Sequence, residues 1–227
     1  MAYIGNKPAN KAVVASDLDP AVITGQTALA TSPADTDEFL ISDAGVLKRL
    51  DASLIGGGMH TLISTATISS AATASVTGMD STYSRYLVTI NNLVPAGDGK
   101  TLYMQVIIGG PVQSGTNYPY GNNTRNSGSG SAGNESSDAT SFKISKSDIG
   151  NSTGYNFSGE VILYNPSETS RLKNIGWRSV YTVNNGTVDS NIGGGMYGSG
   201  QAAITGISIK MSSGNISSAV IKLYGIT

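Results

Sequence analysis

Tyr86-Leu-Val-Thr-Ile90 and Leu102-Tyr-Met-Gln-Val-Ile-Ile108 decide the fold class. In the first, Tyr86, Val88 and Ile90 fall on alternate positions; in the second, Leu102, Met104, Val106 and Ile108 do the same. A strand sends successive side chains to opposite faces, so period two predicts strands with one buried face. The pattern recurs in Ile207, Ile209 and Met211, and again in Ala219, Ile221 and Leu223. These sets form the predicted core, with Trp177 seated in it by alternation with Ser179 and Tyr181.

Working outward, strand-like runs separated by turn residues fill the chain from His60 onward. They are Thr61 to Ser69, Thr73 to Thr77, Tyr83 to Asn92, Thr101 to Gly109, Ser141 to Asp148, Asn156 to Asn165, Leu172 to Asn184, Val188 to Gly193, Ile204 to Ser212 and Ser218 to Gly225. Short strands at such regular spacing predict an all-β sandwich of jelly-roll type over residues 59–227. The longest break runs from Gly109 to Thr140 and is rich in Gly, Ser and Asn. Loops of that length usually carry function or meet a neighbouring subunit. Tyr118 and Tyr120, flanking Pro119, together with Tyr197 in a second Gly-rich stretch, are therefore the predicted interface or receptor contacts.

Composition agrees with a turn-rich β protein. Only 13% of the residues are charged, against about 25% in an ordinary soluble domain, and the 29 glycines are spread along the whole chain. The chain has no cysteine, so it holds neither disulfides nor thiolate metal sites. A formal net charge of −1 argues against nonspecific nucleic-acid binding, which needs clustered cations. No run approaches the ~18 apolar residues of a membrane span, and the N-terminus lacks the layout of a signal peptide; no membrane insertion is expected.

Residues 1–58 read as an extended arm. Pro8, Pro20 and Pro33 interrupt regular structure, while the alternation from Phe39 to Leu50 predicts a small hairpin turning at Asp43-Ala-Gly45. Gly56-Gly57-Gly58 makes a joint without backbone preference. The run Met1-Ala-Tyr-Ile-Gly-Asn-Lys-Pro8, with Thr36-Asp-Glu-Phe-Leu-Ile-Ser-Asp43 and Leu47-Lys-Arg-Leu-Asp51, resembles the N-terminal attachment segment of tailed-bacteriophage fibre and virion appendage proteins. Phe157-Ser-Gly-Glu-Val-Ile-Leu-Tyr-Asn-Pro166, Gly193-Gly-Gly-Met-Tyr197, Ile207 to Ile216 and the ending Lys222-Leu-Tyr-Gly-Ile226 are similar to the C-terminal β-domain of such appendages.

That resemblance implies a structural virion protein, assembled in the host cytoplasm and built as a homotrimer. It further implies docking on other virion proteins through Tyr3, Ile4, Pro8, Phe39, Leu40, Leu47 and Leu50, with the sandwich projecting toward a host-surface glycan or protein. Tail fibre and capsid decoration or head fibre are both open locations. A carbohydrate-binding adhesin or polysaccharide depolymerase is the alternative of another class.

Few residues suggest chemistry. His60 is the single histidine, at the Gly-rich joint with no nucleophile pattern around it, and reads as a linker residue. Without cysteine or further histidines, no transition-metal site is expected. Gly193-Gly-Gly-Met-Tyr-Gly198 has the spacing of a dinucleotide fingerprint but no strand-to-helix frame; it reads as a hairpin or bulge connection. Asp80, Asp98, Glu135, Asp138, Asp148, Glu160, Glu168 and Asp189 are scattered, without the paired placement of a glycosidase. The expectation is of no catalytic, cofactor or metal residue.

Overall fold

The computed structural model describes residues 34, 36–44, 46–55, 59–146 and 148–226. Internal contacts divide the chain into two units, Met1–Gly57 and Gly58–Thr227, and each is described by itself. Tyr3, Ile4, Pro8 and the joint at residues 56–58 lie outside the described residues.

In the first unit, β1 (Glu38–Asp43) and β2 (Val46–Asp51) pair antiparallel, Glu38 opposite Asp51 and Asp43 opposite Val46. A 3-10 turn over Ala52–Leu54 follows. The hairpin expected at this place is present, with Ala44 holding a left-handed φ of 49° in its turn. Lys48 Nζ lies 2.5 Å from Asp43 Oδ2, and Arg49 Nε 2.9 Å from Glu38 Oε1. These ion pairs are exposed and contribute little. A lone two-stranded hairpin is marginal at best.

The second unit is all-β. Its strands are β3 (His60–Ala71), β4 (Thr73–Thr77), β5 (Arg85–Pro95), β6 (Leu102–Ile107), β7 (Tyr120–Asn126), β8 (Gly130–Ser136), β9 (Phe142–Lys143), β10 (Phe157–Tyr164), β11 (Lys173–Thr182), β12 (Val188–Tyr197), β13 (Gly206–Met211) and β14 (Ile216–Ile226). One sheet runs β3-β14-β5-β10-β11-β12-β7-β8 and the other β4-β13-β6-β9. Within them, β3-β14-β5-β10 faces β4-β13-β6-β9 with the strand order of a jelly roll, the chain switching sheets at every step except from β6 to β9. The expected jelly-roll-type sandwich is borne out.

Two insertions elaborate it. The hairpin β7–β8 is inserted between β6 and β9, the hairpin β11–β12 between β10 and β13, and they meet where β12 pairs with β7. Together they extend the larger sheet by β11, β12, β7 and β8. This corrects two expectations. The stretch from Gly109 to Thr140 holds a seven-residue strand pair rather than an unstructured loop, and Gly193-Gly-Gly195 runs through the middle of β12 rather than around a turn. His60 likewise begins β3, its ring edge-on to Tyr224 at 6.2 Å, so it belongs to a strand and not to a linker.

The predicted core sets are buried: Tyr86, Val88, Ile90, Leu102, Met104, Val106, Ile207, Ile209, Met211, Ala219, Ile221, Leu223 and Trp177 all have little exposure. Ile108 is only partly buried, packed against the cluster. The expected strand Ser141 to Asp148 shortens to Phe142–Lys143. The smaller sheet ends at β9 while the larger continues for four more strands, so the segment after Lys143 must cover the extension's inner face. It does so with backbone groups: the Ile144 carbonyl accepts from Asn191 Nδ2 (3.0 Å) and Ser179 Oγ (3.2 Å), and the Lys146 N–H donates to Tyr181 Oη (2.9 Å). Those partners replace a continued strand ladder.

Candidate functional site: the sheet extension

A jelly roll is a scaffold on which function is added, and the extension is what this chain adds. Its inner face carries a hydrogen-bonded polar cluster. Thr124 Oγ1 donates to Asn191 Oδ1 (3.0 Å), Asn126 Nδ2 to Asp189 Oδ1 (2.5 Å) and Tyr181 Oη to Asp189 Oδ2 (3.0 Å). Thr124, Asn191 and Asp189 are all buried. Buried polar groups of this kind rigidify and specify a structure when they are paired.

Aromatic rings fill the boundary between scaffold and extension. Tyr118 stands edge-on to Phe142 at 4.9 Å and 5.2 Å from Tyr197, while Trp177 lies 5.7 Å from Phe142 and 6.3 Å from Tyr120. The glycines of β12 make room for them. A Cβ at Gly193 would come within 2.4 Å of the Trp177 ring, and one at Gly195 within 2.6 Å of both Phe142 Cε1 and the Pro119 carbonyl.

This placement corrects the tyrosine expectation. Tyr118 is fully buried and Tyr197 is 3% exposed, so neither is a surface anchor of this chain; Tyr120 is half-buried against the core. The Tyr118 hydroxyl accepts from Val106 N–H (3.1 Å) and donates to the Gln113 carbonyl (2.6 Å). Composition hid this, because a Gly-Pro-rich neighbourhood reads as surface while the ring itself is drawn into the aromatic cluster.

Burial pushes the Tyr118 phenol up to about 12 and raises Tyr86 and Tyr120 also. An unfolded tyrosine titrates near 10, so above that pH the unfolded chain sheds protons that the folded chain keeps. Stability from this source is complete below pH ~10 and is lost as pH climbs through about 12. In Tyr118→Phe, denaturant titrations should show lower stability at neutral pH from the lost hydrogen bonds, and a shallower alkaline decline. An alkaline profile that superimposes on the parent's rules this out.

The outer face of the extension is open. Across it, cross-strand partners form the row Leu87, Ile162, Gly176, Gly194, Gly121 and Glu135, and beside it the row Thr89, Glu160, Arg178, Ile192, Asn123 and Gly133. Arg178 Nε lies 2.6 Å from Glu160 Oε1, which neutralises the charge at the centre of the face. Tyr164, Val180, Val188 and Ile192 are exposed on or beside these rows. A shallow depression of about 810 Å³ is lined by Gly121, Asn122, Asn123, Gly133, Asn134, Glu135 and Ile192.

The carboxylates are held locally. Asp80 accepts from Thr82 N–H (2.8 Å) and Tyr86 Oη (2.9 Å), and these bonds, the Thr82 ones foremost, lower its pKa. Glu168 accepts from Ser170 N–H, which lowers it likewise. Sequence reasoning missed Lys173, which is buried with Nζ donating to the carbonyls of Glu168, Arg171 (2.8 Å) and Gln201 (3.1 Å). Burial lowers its pKa. It ties the loop between β10 and β11 to the loop between β12 and β13. Among the described residues no group of three or more His, Asp or Glu side chains is placed to hold a metal.

Of the side chains expected to dock, Phe39 is 40% and Leu40 76% exposed and Leu50 is half-buried; beside them Val46, Leu54 and Ile55 are also exposed. Leu47 lies in β2. In comparisons with known proteins, no protein-family model, curated protein or solved structure matches this chain.

Proposed function

We propose that the chain is a non-enzymatic virion structural protein, a tail-fibre-like appendage that docks by its N-terminal arm and projects the jelly roll, with the sheet extension as its outward contact face. The observation that carries this reading is the hairpin of β1 and β2. It leaves Phe39, Leu40, Val46, Leu54 and Ile55 uncovered, while the second unit completes a jelly roll of its own. An apolar hairpin that cannot bury itself, joined to a self-sufficient body, is what an anchor and a projecting head require. Three copies would let three weak arms act together by raised effective concentration on a symmetric platform.

Phe39→Asp with Leu40→Asp should cut recovery of the protein with purified particles at least tenfold while the isolated chain stays folded. Undiminished recovery would remove the hairpin from docking. The capsid-decoration reading uses the same anchor and differs in which particle component the chain copurifies with.

An adhesin is the second reading, favoured by the Asn- and Gly-lined depression on the extension, whose amide groups suit sugar hydroxyls. Glycan-array binding that is lost in Asn123→Ala with Asn134→Ala supports it; absence of any glycan signal removes it.

A further inference from the structure

The smaller sheet stops at β9 while the larger runs on, and at that step lies a cavity of about 600 Å³ whose lining includes Tyr103, Tyr120, Glu135, Lys143 and Lys210. Three of these stand in one cross-strand row, Tyr103 on β6 being opposite Lys143 on β9 and Lys210 on β13. Their neighbours along the chain, Leu102 and Met104, Phe142 and Ile144, Ile209 and Met211, are buried in the core, so by alternation the row faces away from it. The two lysine backbones are then about 9.6 Å apart, twice the spacing of strands, with the tyrosine between them. The loop after β8 forms a further wall, held by Gln105 Nε2 donating to the Thr140 carbonyl (2.9 Å).

The cations in this cavity are unpaired. Among the described residues, ion pairs join Lys48 to Asp43, Arg49 to Glu38 and Arg178 to Glu160, and the lysine ammonium groups that donate hydrogen bonds are those of Lys48 and Lys173. Lys143 and Lys210 do neither, although both are half-buried, and Glu135 offsets only one of them. Burial lowers the Lys143 pKa, with Asp148 opposing; a cation partly withdrawn from water without a counter-ion is costly. Tyr103 and Tyr120 supply flat apolar faces with polar rims, the kind of surface on which a sugar ring stacks. They lie close enough that Tyr103 adds to the rise that burial gives the Tyr120 pKa. One positive charge in excess suits a ligand with a single carboxylate, whereas a phosphate chain needs more clustered cations.

We propose that this cavity binds a pyranose carrying one carboxylate, a uronic or sialic acid residue. Lys143 and Lys210 take the carboxylate, Tyr103 stacks on the ring, and Glu135 accepts from a ring hydroxyl. The inference rests on the adhesin reading, to which it gives a ligand class and a second site. Asn134 and Glu135 line both this cavity and the depression already described, but Asn123 lines only the depression and the two lysines only the cavity.

Saturation-transfer NMR on the full-length chain tests this, with methyl glucuronide and methyl sialoside as probes, methyl glucoside as the ring without the anion, and acetate as the anion without the ring. At least one acid sugar should bind, and both controls should bind about tenfold more weakly, as expected when a charge-assisted hydrogen bond or the stacked ring is lost. Lys143→Gln and Lys210→Gln, each checked for a native far-UV circular dichroism spectrum, should weaken acid-sugar binding about tenfold, and Asn123→Ala should leave it unchanged. No transfer to either acid sugar overturns the proposal, as does glucoside or acetate binding equally well, or unchanged affinity in a folded lysine variant; should one lysine variant not fold, the other decides. Binding lost in Asn123→Ala but kept in the lysine variants overturns this site and leaves the adhesin reading at the depression standing. Binding lost only in the lysine variants supports the cavity even where neutral glycans give no signal at the depression.

Discussion

Alanine at Gly194 is expected to leave stability within about 0.5 kcal/mol of the parent, whereas alanine at Gly193 or Gly195 should cost about 1–3 kcal/mol or more. The three residues are consecutive in β12, so propensity and chain entropy are nearly the same for each. What differs is the face. Gly194 points outward, where a Cβ would meet only the Ile175 carbonyl at 3.5 Å, an ordinary contact. Gly193 and Gly195 point inward, the first beneath the Trp177 ring and the second against Phe142 and the Pro119 carbonyl. That carbonyl is held in place by the Met196 N–H at 3.1 Å, and Trp177 is flanked by Phe142 and Tyr120, so neither neighbour yields cheaply. Urea denaturation of the three alanine variants checks this, and equal losses at all three would mean that the glycines serve backbone conformation rather than ring packing.

The second large effect is at the centre of the jelly roll. Ile221 is 1% exposed on β14, which lies between β3 and β5 with Ile221 opposite Ala66 and Ile90. Truncation to alanine should destabilise by about 2–5 kcal/mol, the loss of buried methylenes plus the cavity left behind. Its neighbour Lys222 points to the other face, and Lys222→Ala should fall within about 0.5 kcal/mol. A loss below about 1 kcal/mol at Ile221 would put the strand one residue out of register.

Where strands face the opposing apolar sheet, the sequence could be read directly. Alternation at Tyr86, Val88 and Ile90, and at Leu102, Met104 and Val106, exists because every second side chain must leave water. Of the extension, β11 and β12 were read as strands, and the β7–β8 half escaped the same reading for a physical reason. Its inner face has no apolar sheet opposite it, and β7 alternates Asn122, Thr124 and Asn126 inward against outward Asn123 and Arg125. Both sets are polar, so hydropathy shows no period, and Asn and Gly are poor strand formers by propensity. The signal that could have found it is a polar period two, matched by Asp189 and Asn191 on β12. Tyr118 and Tyr197 were hidden in the same way: local composition marks a turn, whereas burial there is decided by rings that arrive from Phe142, far along the chain. The hairpin of the first unit was legible because its turn and its alternation are local.

The proposed function divides the chain into an arm that attaches and a body that folds and projects. Deletion of residues 1–55 tests it most directly, read by far-UV circular dichroism of the purified fragment and by its incorporation into particles alongside the full-length chain. The expected result is a folded all-β fragment that is excluded from particles; a folded fragment incorporated as well as the full-length chain would overturn the proposed attachment role of the arm.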